Sequence, residues 1–281
     1  MIVKVEPRRA DDVGYSISGS VGQVADTGYI GVMDSGVGGI SVLRRLMDEL
    51  PHERFVFFGD TAHAPYGDRT REEVLGYTRA IVDGMRDEGA KAVVIACNTA
   101  TSAAAATLRA EHAEMPIVGV EPALKPAVLA HPAGQVLVMA TALTLHLDKY
   151  QDLVKRWGHS AEVHEVACVG LMERIEREHW EEPDLIELLQ TLVGGYAGAV
   201  DAVVLGCTHY PYVKEQIRAV LGHVDIFDGA LGTARQLRTR LVQEGLLAPD
   251  DVPGGVAFRS STPGREELAR YQRFLKLASS A

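Results

Sequence analysis

Two short segments of the chain carry a cysteine at the same place. Ala92-Val93-Val94-Ile95-Ala96-Cys97-Asn98-Thr99 and Ala202-Val203-Val204-Leu205-Gly206-Cys207-Thr208-His209 share an Ala-Val-Val start, a small residue before the cysteine and a polar pair after it. An apolar, valine-rich run this short reads as a strand buried on both faces of a parallel sheet. Each is followed by a helical pattern, over residues 100–111 and 212–221. The chain thus holds a duplicated strand–cysteine–helix unit. Ligands of open α/β sheets bind beyond the carboxyl ends of the strands, so both thiols are expected at such an edge. Their place near helix starts predicts thiol pKa values below the free value of about 8.5. Two similar lobes facing each other would set the thiols across one cleft. There one thiolate takes a proton from a carbon and the other thiol returns a proton on the opposite face. Two inert buried cysteines are the competing reading. The equivalent strand ends and the flanking Asn98-Thr99 and Thr208-His209 weigh against it.

The elements that must position these thiols follow from the rest of the chain. Its 281 residues suffice for one large or two modest domains. Hydrophobic residues make up 47% and charged residues 23%, an ordinary globular balance. The net charge of -10, with no basic stretch to offset it, argues against nucleic-acid binding. Three cysteines without a Cys-x-x-Cys pair suit neither a disulfide framework nor a zinc site, so no metal is expected. Free thiols point to a reducing cytoplasm. The first residues lack the apolar core of a signal peptide, and the apolar stretch 92–108 is broken by Asn98 and several hydroxyl residues, so no membrane segment is expected.

Residues 1–28, polar and rich in Gly and Ser near their end, read as a flexible arm. Residues 29–33 form a short strand running into Asp34-Ser35-Gly36-Val37-Gly38-Gly39, and 40–50 have helical spacing. Gly36 and Gly38 suggest a dinucleotide fingerprint with Asp60 as its acid, but Ser41 holds the third glycine position. The alternative is a small-ligand loop. Its N–H groups would hold a carboxylate, while Asp34 holds an ammonium group or orients a thiol. Strand 55–58 leads to the Pro65-Tyr66-Gly67-Asp68 loop, where Tyr66 is a candidate cleft residue, and 71–88 is an amphipathic helix capped by Gly89. Strand 135–141 opens a second lobe as the counterpart of 29–34, with Thr141 near the place of Asp34. Strand 161–167 precedes Cys168, which lacks the strand–Cys–polar context and reads as structural. Further helices are read at 147–158, 171–179, 185–197, 233–244 and 265–278, and a late strand at 256–259. Glu173 and Glu176 on 171–179 read as a solvated face.

From residue 29 to the C-terminus the chain resembles the cofactor-independent glutamate racemases. The resemblance rests on Asp34-Ser35-Gly36-Val37-Gly38-Gly39, Pro65-Tyr66-Gly67, Cys97-Asn98-Thr99-Ala100 and Gly206-Cys207-Thr208-His209-Tyr210-Pro211 together. It implies an α/β fold of two similar, pseudo-symmetric three-layer lobes with mainly parallel sheets and the active site in the cleft between them. Residues 29–121 plus 231–281 would form the first lobe and 122–230 the second. It implies Cys97 and Cys207 as the two acid/bases, Asp34 assisting Cys97, and His209 with Glu176 assisting Cys207. Glu173 competes with Glu176, because Val169 stands where the family usually has proline. Asp34, Ser35, Pro65, Tyr66, Gly67, Asn98, Thr99, Thr141, Thr144, Thr208 and His209 would hold glutamate. No cofactor is implied, D-glutamate would go to peptidoglycan, and a homodimer is expected.

His209 after the second Cys-Thr favours glutamate over aspartate, since the related aspartate racemases typically carry glutamate there. Two other readings stay open. One is a non-catalytic interaction protein of the same fold, such as a DNA gyrase inhibitor, against which the intact cysteine pair argues. The other is a cysteine hydrolase pairing Cys207 with His209, which leaves Cys97 and the duplication unexplained.

Overall fold

The computed structural model describes residues 28–180, 183–251, 253–262 and 264–278. The proposed arm therefore lies, apart from Gly28, outside the described residues. The chain alternates strand and helix: β1 (Tyr29–Asp34), α1 (Ile40–Glu49), β2 (Arg54–Gly59), α2 (Arg71–Asp87), β3 (Ala90–Ile95), α3 (Asn98–Glu111), β4 (Ile117–Gly119) and α4 (Leu124–Ala130). It continues through β5 (Gln135–Ala140), α5 (Ala142–His146), α6 (Asp148–Trp157), β6 (Glu162–Ala167), α7 (Leu171–Glu176), α8 (Pro183–Val193), β7 (Ala202–Leu205), α9 (Lys214–Leu221) and β8 (Asp225–Asp228). It ends with α10 (Ala230–Gln243), β9 (Gly255–Ser260) and α11 (Arg265–Ala278).

Two sheets result, ordered β4-β3-β1-β2-β9 and β6-β5-β7-β8, with every strand pair parallel. Numbered from its own first strand, each sheet has the order 2-1-3-4; the first sheet adds β9 beyond β2. The duplication read from the cysteine segments is thus a duplication of topology. β3 pairs β1 with Ile95 opposite Met33, and β7 pairs β5 with Leu205 opposite Met139. In both sheets the cysteine follows the strand beside the opener, at the point where the connections reverse direction. That is where open α/β sheets leave a crevice.

Burial explains why β3 and β7 read so plainly. Val93, Val94 and Ile95, and Ala202, Val203 and Val204, are all fully buried. Ala100, Ala103, Ala104 and Ala105 let α3 lie close on its sheet. One continuous hydrophobic core joins Ile30, Phe57 and Val94 of the first sheet to Leu137, Met139 and Val203 of the second. The chain re-enters the first sheet at its end: β9 pairs along the whole of β2, from Arg54–Gly255 to Gly59–Ser260. An aromatic cluster fixes this return. Phe57 packs at ring-centroid distances of 6.1 Å from Phe258 and 5.4 Å from Tyr271 of α11, both edge-on, the arrangement aromatic rings prefer.

Several local expectations shift. The stretch after Cys207 begins as a 3-10 turn, Tyr210–Val213, and becomes α-helical only at Lys214, with Pro211 in the first positions of the turn. A helix over 171–179 is expected; α7 stops at Glu176 and a residue of positive φ, Glu178, follows. The short helices α4 and α5 have no counterpart in the sequence reading. No helix among the described residues is long and apolar enough to cross a membrane.

Candidate active site

A small cavity lies at the carboxyl ends of the strands, lined by residues of both sheets' loops. Ser35, Tyr66, Gly67, Cys97, Asn98 and Thr99 come from the first unit, and Thr141, Met172, Gly206, Cys207, Thr208 and His209 from the second. Both thiols therefore face one space. The enclosure is tight: Cys97 is 6% exposed, Cys207 8% and His209 2%.

Cys97 is the N-cap of α3, and its sulfur accepts the Ala100 N–H at 3.5 Å. The Ser35 hydroxyl lies 3.7 Å away. These contacts favour thiolate, as the sequence suggests, but they lose. Burial, then the negative charge of Asp34, push the Cys97 thiol up to about 12. The expected depression is thus corrected for Cys97, because desolvation outweighs the helix terminus.

Asp34 ends β1 with no exposed surface. Its carboxylate accepts the Gly36 N–H at 2.8 Å, the Thr208 hydroxyl at 2.9 Å and the Ser35 hydroxyl at 3.3 Å. It is absent from the cavity wall and lies behind it, tying the first-unit loop to Thr208 of the second. Burial holds its pKa above the ordinary carboxylate value despite those donors and His209.

Cys207 has a different partner. His209 Nδ1 lies 3.6 Å from its sulfur, and Nε2 lies 2.6 Å from Glu176 Oε1. With Nε2–H given to the carboxylate, Nδ1 is left for the thiol. Burial alone would depress the imidazole. The hydrogen bond to Cys207 and the charges of Cys207, Asp34 and Glu173 outweigh it and raise the His209 pKa above its usual value. Of the two glutamates of α7, Glu176 is the one that touches His209. Its Oε1 also accepts the Val37 N–H at 2.9 Å, and its Oε2 pairs with Arg270 of α11.

The loop after β1 is not a phosphate cradle. Two of its N–H groups are taken by protein carboxylates, Gly36 by Asp34 and Val37 by Glu176. Its glycines make room for side chains arriving from elsewhere. A Cβ on Gly36 would collide with Glu176, one on Gly38 with His209 and Thr208, and one on Gly39 with Asp34. Asp60, the other half of the dinucleotide reading, instead accepts the Tyr66 hydroxyl at 2.6 Å and meets His63 Nδ1 at 2.8 Å.

Thr99, Thr141 and Thr144 form a closed triangle of hydroxyls with edges of 3.0, 3.0 and 2.9 Å across the two units. Thr99 and Thr141 line the cavity; Thr144 is fully buried behind them and Pro65 precedes Tyr66 outside the wall. Asn98 Oδ1 is buried with no protein partner. Cys168, buried behind β6, reaches Val166 O at 3.6 Å and takes no part in the wall. Sequence reasoning missed Met172 and Arg270. Met172 lies one helical turn before Glu176, which a helix assignment for 171–176 makes visible; Arg270 has no signal of that kind.

A family model of Asp/Glu/Hydantoin racemases matches residues 30–237. The chain belongs to the Asp/Glu/Hydantoin racemase family. A glutamate racemase of Clostridium perfringens is 40% identical over 250 residues, covering 88% of this chain and 96% of the relative. A glutamate racemase isoform of Bacillus anthracis superposes with a TM-score of 0.80 at 30% identity, over 89% of this chain and 94% of the other. The glutamate racemase of Francisella tularensis, solved in complex with D-glutamate, gives 0.78 at 26% identity, over 89% and 94%. Both cysteine units of this racemase-family chain fall inside the matched segment, whereas β9 and α11 lie beyond it.

Proposed function

We propose that the chain interconverts L- and D-glutamate by two-thiol acid–base chemistry at Cα, needing no cofactor, and so supplies D-glutamate for peptidoglycan. The carrying observation is that Cys97 and Cys207, at equivalent ends of two like sheets, line one cavity while keeping different partners. Glutamate racemase relatives over most of the chain support glutamate as the substrate.

In this reading Cys207 removes the proton of L-glutamate and Cys97 that of D-glutamate, each returning a proton from the opposite face. The unpartnered Asn98 Oδ1 fits the substrate ammonium, since buried polar atoms are rarely left unpaired. That ammonium brings positive charge beside the Cys97 thiol, which burial holds protonated, and an opposite charge at close range favours the thiolate. Ser35, Thr99, Thr141, Thr208 and the Gly67 loop after Pro65 surround the carboxylates. Donors fixed there stabilise negative charge developing at Cα without having to reorganise. Asp34, Thr144 and Glu176 act through the groups they hold, and Tyr66 forms part of the wall.

The lobes are assigned as 29–121 with 231–281, and 122–230. Cytoplasmic location and a homodimer complete the proposal; sedimentation of the purified chain tests the dimer.

Circular dichroism of the purified chain with L-glutamate should decay to zero as the racemate forms. Cys97→Ser and Cys207→Ser should each lose about three orders of magnitude in rate, about 4 kcal/mol of transition-state stabilisation. A constant signal with L-glutamate beside turnover of L-aspartate would reassign the substrate. Full activity of either serine variant would remove the two-thiol mechanism.

A further inference from the structure

The Glu176 carboxylate that meets His209 has a second partner from the far end of the chain. Arg270 of α11 pairs with Glu176 Oε2 and, through its other terminal nitrogen, with Glu267 Oε2 at 3.1 Å. Glu267 in turn accepts the Thr61 hydroxyl at 2.8 Å. Thr61 directly follows Asp60, whose carboxylate accepts the hydroxyl of Tyr66 on the cavity wall. A continuous line of polar contacts therefore runs from the Cys207 sulfur through His209, Glu176 and Arg270 to α11. Arg270 lies beyond the segment matched by the family model.

From this line we infer that Arg270 is a positioning residue for one half of the reaction, the half served by Cys207. The inference rests on the proposed roles of the two thiols. Engaging Oε2 leaves Glu176 Oε1 to Val37 N–H and His209 Nε2, which sets the imidazole so that Nδ1 faces Cys207. A guanidinium does this because its planar fork meets two carboxylates at once; an ammonium keeps the charge and loses the fork. Cys97 has none of these contacts: its neighbours are Ser35, the Ala100 N–H and the Asp34 charge.

Racemisation in either direction uses both thiols, so it cannot separate the halves. Elimination from 3-chloroglutamate can. The thiolate takes the Cα proton, the C–H electron pair becomes the Cα=Cβ bond, and chloride leaves with the C–Cl pair. The enamine then tautomerises and is hydrolysed by water to 2-oxoglutarate and ammonium. The L-series needs only Cys207 and the D-series only Cys97. Arg270→Met should slow elimination from the L-series at least tenfold and leave the D-series within twofold, with Arg270→Lys between Met and wild type. Equal losses in both series would mean a merely structural role, and no loss would mean no role; either overturns the proposal. If Arg270→Met does not fold, Arg270→Lys alone must show the same split. Cys207→Ser run in parallel separates the two layers. If it spares the L-series, the thiol assignment fails. If it abolishes the L-series while the Arg270 variants show no split, only the Arg270 inference fails.

Discussion

Asp34 has no exposed surface, yet its charge reaches Cys97 and helps hold that thiol near 12. Its sign gives a prediction. A negative neighbour disfavours thiolate, so Asp34→Asn should move the Cys97 titration downward. In a background carrying Cys168→Ser and Cys207→Ser, thiolate absorbance near 240 nm followed against pH reads this single group. An unchanged or higher midpoint would show that burial alone sets it. The same variant replaces one of the two oxygens that accept from Gly36 and Thr208 by an NH2 donor, so one of these contacts is lost and its racemase activity should fall even though the thiol is easier to ionise.

At the scale of elements, the loop between β1 and α1 owes its glycines to what passes over them. Gly38→Ala puts a methyl group where His209 Nδ1 and Thr208 Oγ1 stand. Overpacking of this kind costs about 1–3 kcal/mol, and here the displaced ring is the partner of Cys207. Activity should drop at least tenfold while the melting temperature falls by only a few degrees; wild-type kcat/KM would show that the ring yields freely. The duplicated strand–cysteine units were legible because β3 and β7 are buried on both faces and so appear as unbroken apolar runs. The glycine loop was legible as a site but not as to its occupant, since Glu176 and His209 arrive from 139 residues along the chain and farther. Depression of the Cys97 pKa was expected from a helix start that does exist; the burial that reverses it belongs to tertiary packing. Arg270 could not be singled out, because a charged residue on an amphipathic terminal helix looks like solvated surface until its partner is placed.

For the whole molecule, closure around the cavity couples ligand binding to stability. Glutamate at about one hundred times its Kd should add about 2.7 kcal/mol to unfolding. A rise in melting temperature with glutamate, absent with glutarate, which differs only in lacking the ammonium, would register binding at Asn98. Equal shifts with both would place the ammonium elsewhere.

The late pairing of β9 with β2 has a consequence for how the protein is born. The chain leaves the ribosome from its N-terminus, and domains generally fold as units during synthesis. The β5–β8 sheet has all its strands once Asp228 has emerged, whereas the sheet begun first must wait for residues 255–260. Until then β2 is an open edge, the kind of strand other chains can join. Glu176 meanwhile lacks Arg270, so the arrival of β9 and the first turns of α11 completes both the fold and the reaction centre. Nascent chains stalled with residue 253 just outside the exit tunnel and treated with protease should show β5–β8 protected and β1–β4 cut. Equal protection of both would mean that β9 is dispensable for the sheet it joins.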